Sequence, residues 1–172
     1  YLVSGSDDGV VLILETTTGR ETAKLIHNNA VTSVAFSPDG KYVVFLSEKN
    51  LFTLDLFLAD AKTGKIIRKL AGTLKDSHFD AFNAFESSRA WSPDSRRFAF
   101  VVYSSGINKL VIKDIAKGKT VTETAIPGVA AFSNLSWSPD GKELAFTGLV
   151  NGQSDLYLYQ LKTKKVTRLT ND

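Results

Sequence analysis

The chain has 172 residues, 43% hydrophobic and 23% charged, enough for one globular domain with its own core. Its net charge of +3, from 21 basic and 18 acidic residues, is too small to imply a nucleic-acid partner. The absence of cysteine excludes disulfides, thiolate metal sites and cysteine nucleophiles, and no apolar run approaches the roughly 20 residues of a membrane helix.

Taken in chain order, Tyr1 to Ser6, Val10 to Glu15 and Arg20 to Ile26 read as three strands. The chain opens at Tyr1 inside a strand-like segment, with neither Met nor a signal peptide, so a processed, excised or engineered piece of a longer sequence is expected. The motif Ala35-Phe36-Ser37-Pro38-Asp39-Gly40-Lys41 follows, and it recurs as Ala90-Trp91-Ser92-Pro93-Asp94-Ser95-Arg96 and Ser136-Trp137-Ser138-Pro139-Asp140-Gly141-Lys142. Proline fixes φ in such a turn, Asp bonds backbone amides, and Gly takes the positive φ that closes it. Ser95 stands at the Gly position of the second copy, a mild strain.

Each motif is followed by a hydrophobic strand (Tyr42 to Leu46, Phe98 to Tyr103, Leu144 to Val150) and then a second (Leu51 to Asp60, Leu110 to Ile115, Leu156 to Leu161). A basic turn and an outer strand close each unit, at Lys65 to Leu70, Thr120 to Ile126 and Lys165 to Leu169. A repeat of four strands in about 40 to 45 residues is the size of one propeller blade. Leu51 to Ala59 and Phe98 to Tyr103 are apolar almost throughout, so both their faces need cover, as between neighbouring blades.

The expected fold is therefore all-β, a β-propeller of about four blades of four antiparallel strands, the first lacking its inner strand. The blades fall at approximately 1–29, 30–72, 87–128 and 129–172, with 73–86 an interblade insertion. Two bare blade flanks would remain at the ends of such an array. Two copies joined with C₂ symmetry into a ring of roughly eight blades are thus expected, with a closed four-bladed monomer or half of a longer parent as rivals.

At these motifs a resemblance is legible. Leu2-Val3-Ser4-Gly5-Ser6-Asp7-Asp8-Gly9, continuing through Ala30 to Gly40, resembles a WD-repeat, with His27 at the family's structural histidine and Ser47 as its serine partner. No Trp-Asp dipeptide is present; Leu14-Glu15, Ala59-Asp60 and Lys113-Asp114 stand near that place. From about Leu58 onward the chain resembles the TolB-like propellers, through Trp91-Ser92-Pro93-Asp94, Trp137-Ser138-Pro139-Asp140-Gly141 and Asp155-Leu156-Tyr157-Leu158-Tyr159. A join between two propeller types raises the expectation of a chimera or designed protein. Both resemblances imply an interaction platform, and the second an extracytoplasmic, periplasmic bacterial setting.

For chemistry, no serine-hydrolase triad, phosphate loop or glycosidase carboxylate pair is assembled, so no enzyme and no cofactor are expected. Asp76, His78 and Asp80 lie within five residues, a spacing open to a divalent cation. The reading preferred is a polar loop, with no metal, whose Phe79, Phe82 and Phe85 tuck against the blades. Asp76, His78, Asp80 and Asn151 are the candidate ligand-binding residues of the loop-rich face.

In an up-and-down blade the first and third turns share one end of the sheet. They would gather Lys41, Arg96, Arg97, Lys117, Lys119, Lys142, Lys162, Lys164 and Lys165 into a basic face. Lysines on exposed hairpin turns often serve solubility alone, and no stacking aromatics interleave with these, so nucleic acid is not expected. The expected function is a non-enzymatic scaffold for a protein or peptide. Alternatives are a purely structural or engineered self-assembling module, or the gate of a peptidase without its catalytic part.

Overall fold

The computed structural model of the chain describes residues 1–50, 53–73, 76, 79–82 and 88–171, and at 49, 50, 82 and 88 the backbone alone. Fifteen strands run among the described residues, with one turn of 3-10 helix at Ser88–Ala90. They build two compact units, Tyr1–His78 with Ala84–Ser88, and Phe79–Asn83 with Arg89–Asp172.

The first unit holds two antiparallel sheets. One has three strands in the order β1 (Leu2–Gly5), β2 (Val10–Leu14), β3 (Glu21–Ile26). The other has four, β4 (Ala30–Phe36), β5 (Tyr42–Asn50), β6 (Thr53–Asp60) and β7 (Ile66–Gly72). Residues Val43 to Leu46 of β5 are all buried, which is why that stretch does not alternate between apolar and polar. Val11 and Leu25 of the first sheet pack with Val31, Phe45 and Ala59 of the second in one cluster. The Val31 amide also donates to the Ser6 carbonyl at 3.0 Å.

In the second unit, β8 (Ala81–Phe82), β9 (Arg97–Ser104), β10 (Ile107–Asp114) and β11 (Thr120–Ala125) form one sheet. The strands β12 (Ala131–Trp137), β13 (Glu143–Val150), β14 (Gln153–Gln160) and β15 (Val166–Arg168) form the other. Their shared core runs from Ala99, Val101, Leu110 and Ile112 to Trp137, Leu144, Phe146, Tyr157 and Tyr159. The ring of Phe146 stacks on Tyr157 with centroids 5.5 Å apart, a cross-strand pair of the kind that fixes register.

The segment expected as an interblade insertion contributes to the third sheet itself. Ala81 and Phe82 pair with Tyr103 and Val102 at one end of β9, while Trp91 bridges Phe98 at the other. The inner edge of this sheet is thus paired at two separate places along β9. Leu51 and Phe52, expected in the strand now seen as β6, lie outside the described residues.

The three Ser-Pro-Asp corners are built alike. In each, the serine hydroxyl donates to the Asp carboxylate two residues on, at 2.7 Å for Ser37, 2.6 Å for Ser92 and 2.7 Å for Ser138. The same hydroxyl accepts the amide five residues on, from Tyr42, Arg97 and Glu143. A donor and an acceptor in one hydroxyl explain why serine stands there. The closing residue is left-handed in all three, with φ of 70° at Gly40, 59° at Ser95 and 69° at Gly141.

Candidate functional site

First and third turns meet at one end of each four-stranded sheet. The Ala61 amide donates to the Lys41 carbonyl at 2.9 Å, Ile115 to Arg96 at 2.9 Å and Leu161 to Lys142 at 3.0 Å. The backbones of the two turns that carry the basic residues are thus in contact within each sheet. Lys41, Arg96, Lys117, Lys119, Lys142, Lys162, Lys164 and Lys165 are exposed.

Arg97 differs from them. It is half-buried, its Nη2 donates to the Gly141 carbonyl at 3.1 Å, and its guanidinium sits 4.6 Å from the ring centroid of Trp137. The indole Nε1 of Trp137 in turn donates to the Ala90 carbonyl at 2.9 Å. Arginine suits this place because its planar fork can hydrogen-bond in plane while stacking on an aromatic face.

Beside this anchor, and within the second unit, lies a cleft of about 550 Å³. Ile112, Val121 and Leu161 supply its apolar surface, Thr122 and Gln160 neutral polar groups, and Arg97, Lys142 and Lys162 its charges. No carboxylate lines it. Lys142 reaches its own corner's Asp140 at 3.1 Å, but both side chains are exposed, so the pair is weak and readily exchanged. Among the described residues Lys162 has no carboxylate partner. Arg97, Lys142 and Lys162 were legible in the sequence as turn residues; the apolar surface they frame was not.

The corner carboxylates are held ionised. The Ser138 hydroxyl and the Lys142 amide bring Asp140 down to about 2. At Asp39 and Asp94 partial burial pushes upward but is outweighed by the serine hydroxyls and the following amides, so both also lie below the usual carboxylate value.

The loop residues singled out in the sequence have local tasks. Asp76 accepts the Gly72 amide at 3.1 Å, and Asp80 accepts the Ser105 amide at 2.9 Å. They belong to different units, and His78 lies outside the described residues. Phe79 is buried, whereas Phe85 and the side chain of Phe82 lie outside the described residues. Asn151 has φ 52° and precedes Gly152 at φ 83°, the Asn-Gly pair that a tight hairpin between β13 and β14 requires. Among the described residues no cluster of three His, Asp or Glu side chains is arranged for a metal ion, and no helix is long and apolar enough to cross a membrane.

Antiparallel sheets of three or four strands, three of them entered through one corner motif, define the class: the chain is part of a β-propeller. Its fold matches TolB from Acinetobacter baumannii with a TM-score of 0.71 at 19% identity, over 98% of this chain and 41% of that one. The β-propeller domain of the Trilobed protease from Pyrococcus furiosus, which has an open velcro topology, matches with a TM-score of 0.66 at 16% identity, over 94% of this chain and 48% of that one.

The family model for the TolB beta propeller domain covers residues 81–172, more than half of the chain, and the chain belongs to that family. A WD domain, G-beta repeat, is recognised at residues 19–47, so the two sequence resemblances both hold. The Tol-Pal system protein TolB of Ruthia magnifica subsp. Calyptogena magnifica is 32% identical over 157 residues, 86% of this chain and 37% of that protein. The chain thus spans little more than a third of that curated relative.

Proposed function

We propose that the chain is a non-catalytic propeller module that docks a protein partner in the bacterial cell envelope, outside the cytoplasm. The observation that carries this reading is its 32% identity over 157 residues to a TolB named for the Tol-Pal system. The cleft between the two sheets of the second unit supports it, because cations set around an apolar patch suit recognition of an acidic partner surface. Calorimetric titration of the purified chain with a Pal protein is the test. Saturable 1:1 binding is expected, and the absence of heat and of any shift in melting temperature would overturn the reading.

A second reading keeps the interaction class but makes the partner another copy of this chain, completing a ring of roughly eight blades. It is favoured by the first sheet, which has three strands where the others have four and whose β1 edge has no neighbouring strand in that sheet. Light scattering on the eluting peak distinguishes them. A mass near twice 18.8 kDa is expected for self-assembly and a mass near 18.8 kDa excludes it.

A further inference from the structure

The cleft lined by Arg97, Lys142 and Lys162 has a defined ligand chemistry. From its charge and its edge we infer that it binds an extended acidic peptide segment, one that places an aliphatic side chain between carboxylates. This rests on the protein-docking reading above and narrows it to one place and one kind of partner.

Charge complementarity comes first. Three cations and no carboxylate line the cleft, so the charged groups that face an entering anion are positive, with Asp140 on Lys142 an exposed and exchangeable competitor. Arg97 is held in place by the Gly141 carbonyl and the Trp137 ring, and it loses little freedom when a carboxylate arrives. Lys142 and Lys162 are exposed and long enough to close over a bound chain.

The apolar surface comes second. Val121 is 57% exposed in a strand where most apolar side chains of its sheet are covered, and with Ile112 and Leu161 it makes a seat for one aliphatic side chain. A peptide of lysines would be repelled here, and a chain of acids alone would leave that seat empty.

The backbone supplies the third argument. β11, which carries Val121 and Thr122, is the outermost strand of its sheet. A terminal strand has a row of amides and carbonyls unspent on its sheet, the usual template for an extended peptide. An anionic membrane surface would use the lysines but neither the strand edge nor the single aliphatic seat. It is the rival that the experiment must separate.

The test uses the whole chain and a fluorescent peptide, Gly-Asp-Glu-Leu-Glu-Asp-Gly, read by anisotropy at low and physiological salt. Binding is expected, weakening as salt rises, and at least tenfold weaker for the double variant Lys142→Glu with Lys162→Glu. Val121→Asp should weaken it to a similar extent. The control Lys117→Glu with Lys119→Glu makes the same charge change at exposed turn residues that do not line the cleft, and it should change the affinity less than twofold.

Equal losses in both double variants would show net charge rather than a site and overturn the inference, as would stronger binding to phosphatidylglycerol vesicles than to the peptide with the same dependence on Lys142 and Lys162. Melting curves of every variant verify folding. A Pal protein that binds the Lys142→Glu, Lys162→Glu chain at full affinity, while the peptide binds neither chain, would sink the cleft and leave the docking reading standing. Peptide bound at the cleft without any Pal binding would do the reverse.

Discussion

The two units use the same Ser-Pro-Asp corner but tie it differently to its surroundings. In the first, the residue before the serine is Phe36, half-buried and without a polar atom. There the two sheets are held by the apolar cluster around Val31 and Phe45, and by His27, whose Nδ1 shares a 3.0 Å hydrogen bond with Ser47 Oγ and whose ring lies 4.8 Å from that of Phe57. In the second, Trp91 and Trp137 take the equivalent places, and Trp137 bonds the Ala90 carbonyl while carrying Arg97 on its face. One corner is only a turn, whereas the other also positions a cation beside an open cleft. The difference shows that a repeat can keep its corner geometry while the side chain before the serine takes on other contacts.

The most severe way to break this comparison is Trp137→Ala. It removes a buried indole, the donor to Ala90 and the ring beneath Arg97, and should cost about 3–5 kcal/mol in urea unfolding. Phe36→Ala, at a half-buried site, should cost clearly less; equal losses would show that the two corners are anchored alike. Gly9→Ala comes next. A Cβ there would stand 2.0 Å from the His27 carbonyl oxygen, at a φ of 84°, so a loss of more than about 1 kcal/mol is expected. At Gly19, with φ 68° and open space around it, the same change should meet only the backbone cost.

Smaller effects sharpen the corner itself. Ser92→Ala and Ser138→Ala each remove a donor to Asp and an acceptor for an amide, at about 1 kcal/mol apiece. Asp140 has its folded-state value lowered from 3.8 to about 2, so its contribution is present above 3.8 and is lost as the pH falls toward 2. Asp39 and Asp94, shifted in the same direction, lose theirs on the same side. Ser138→Ala should move the Asp140 titration, followed by carboxyl-carbon NMR, upward toward 3.8; an unchanged midpoint would contradict the proposed cause. The smallest effect is expected from a double-mutant cycle on His27 and Ser47, about 1 kcal/mol or less of coupling.

The turns and strands were legible because their physics is local. Ser-Pro-Asp-Gly dictates its own hydrogen bonds, and the apolar run of β9 announces burial on both faces; the run ending at Ala59 does so less fully, since β6 mixes buried with half-buried residues. The inner strand β8 was not legible, because Ala81-Phe82 gains strand geometry only by pairing with Tyr103 and Val102, residues beyond the reach of a local pattern. Asn151, a candidate ligand-binding residue of the loop-rich face, also supplies the first left-handed position of the Asn-Gly hairpin. For the site, basic turns could be read off the sequence, but the cleft depends on Ile112, Val121 and Leu161 coming together from three different segments. Periodicity assigns a side chain to a face and does not say which gap that face borders.

The most direct measurement is amide NMR on the isotopically labelled chain during titration with a Pal protein. The account predicts that shifts concentrate at Arg97, Val121, Thr122, Gly141, Lys142 and Lys162. Shifts confined to the hairpin at Asn151 and the loop residues Asp76 and Asp80, with the Arg97 and Lys142 signals unmoved at saturation, would contradict it.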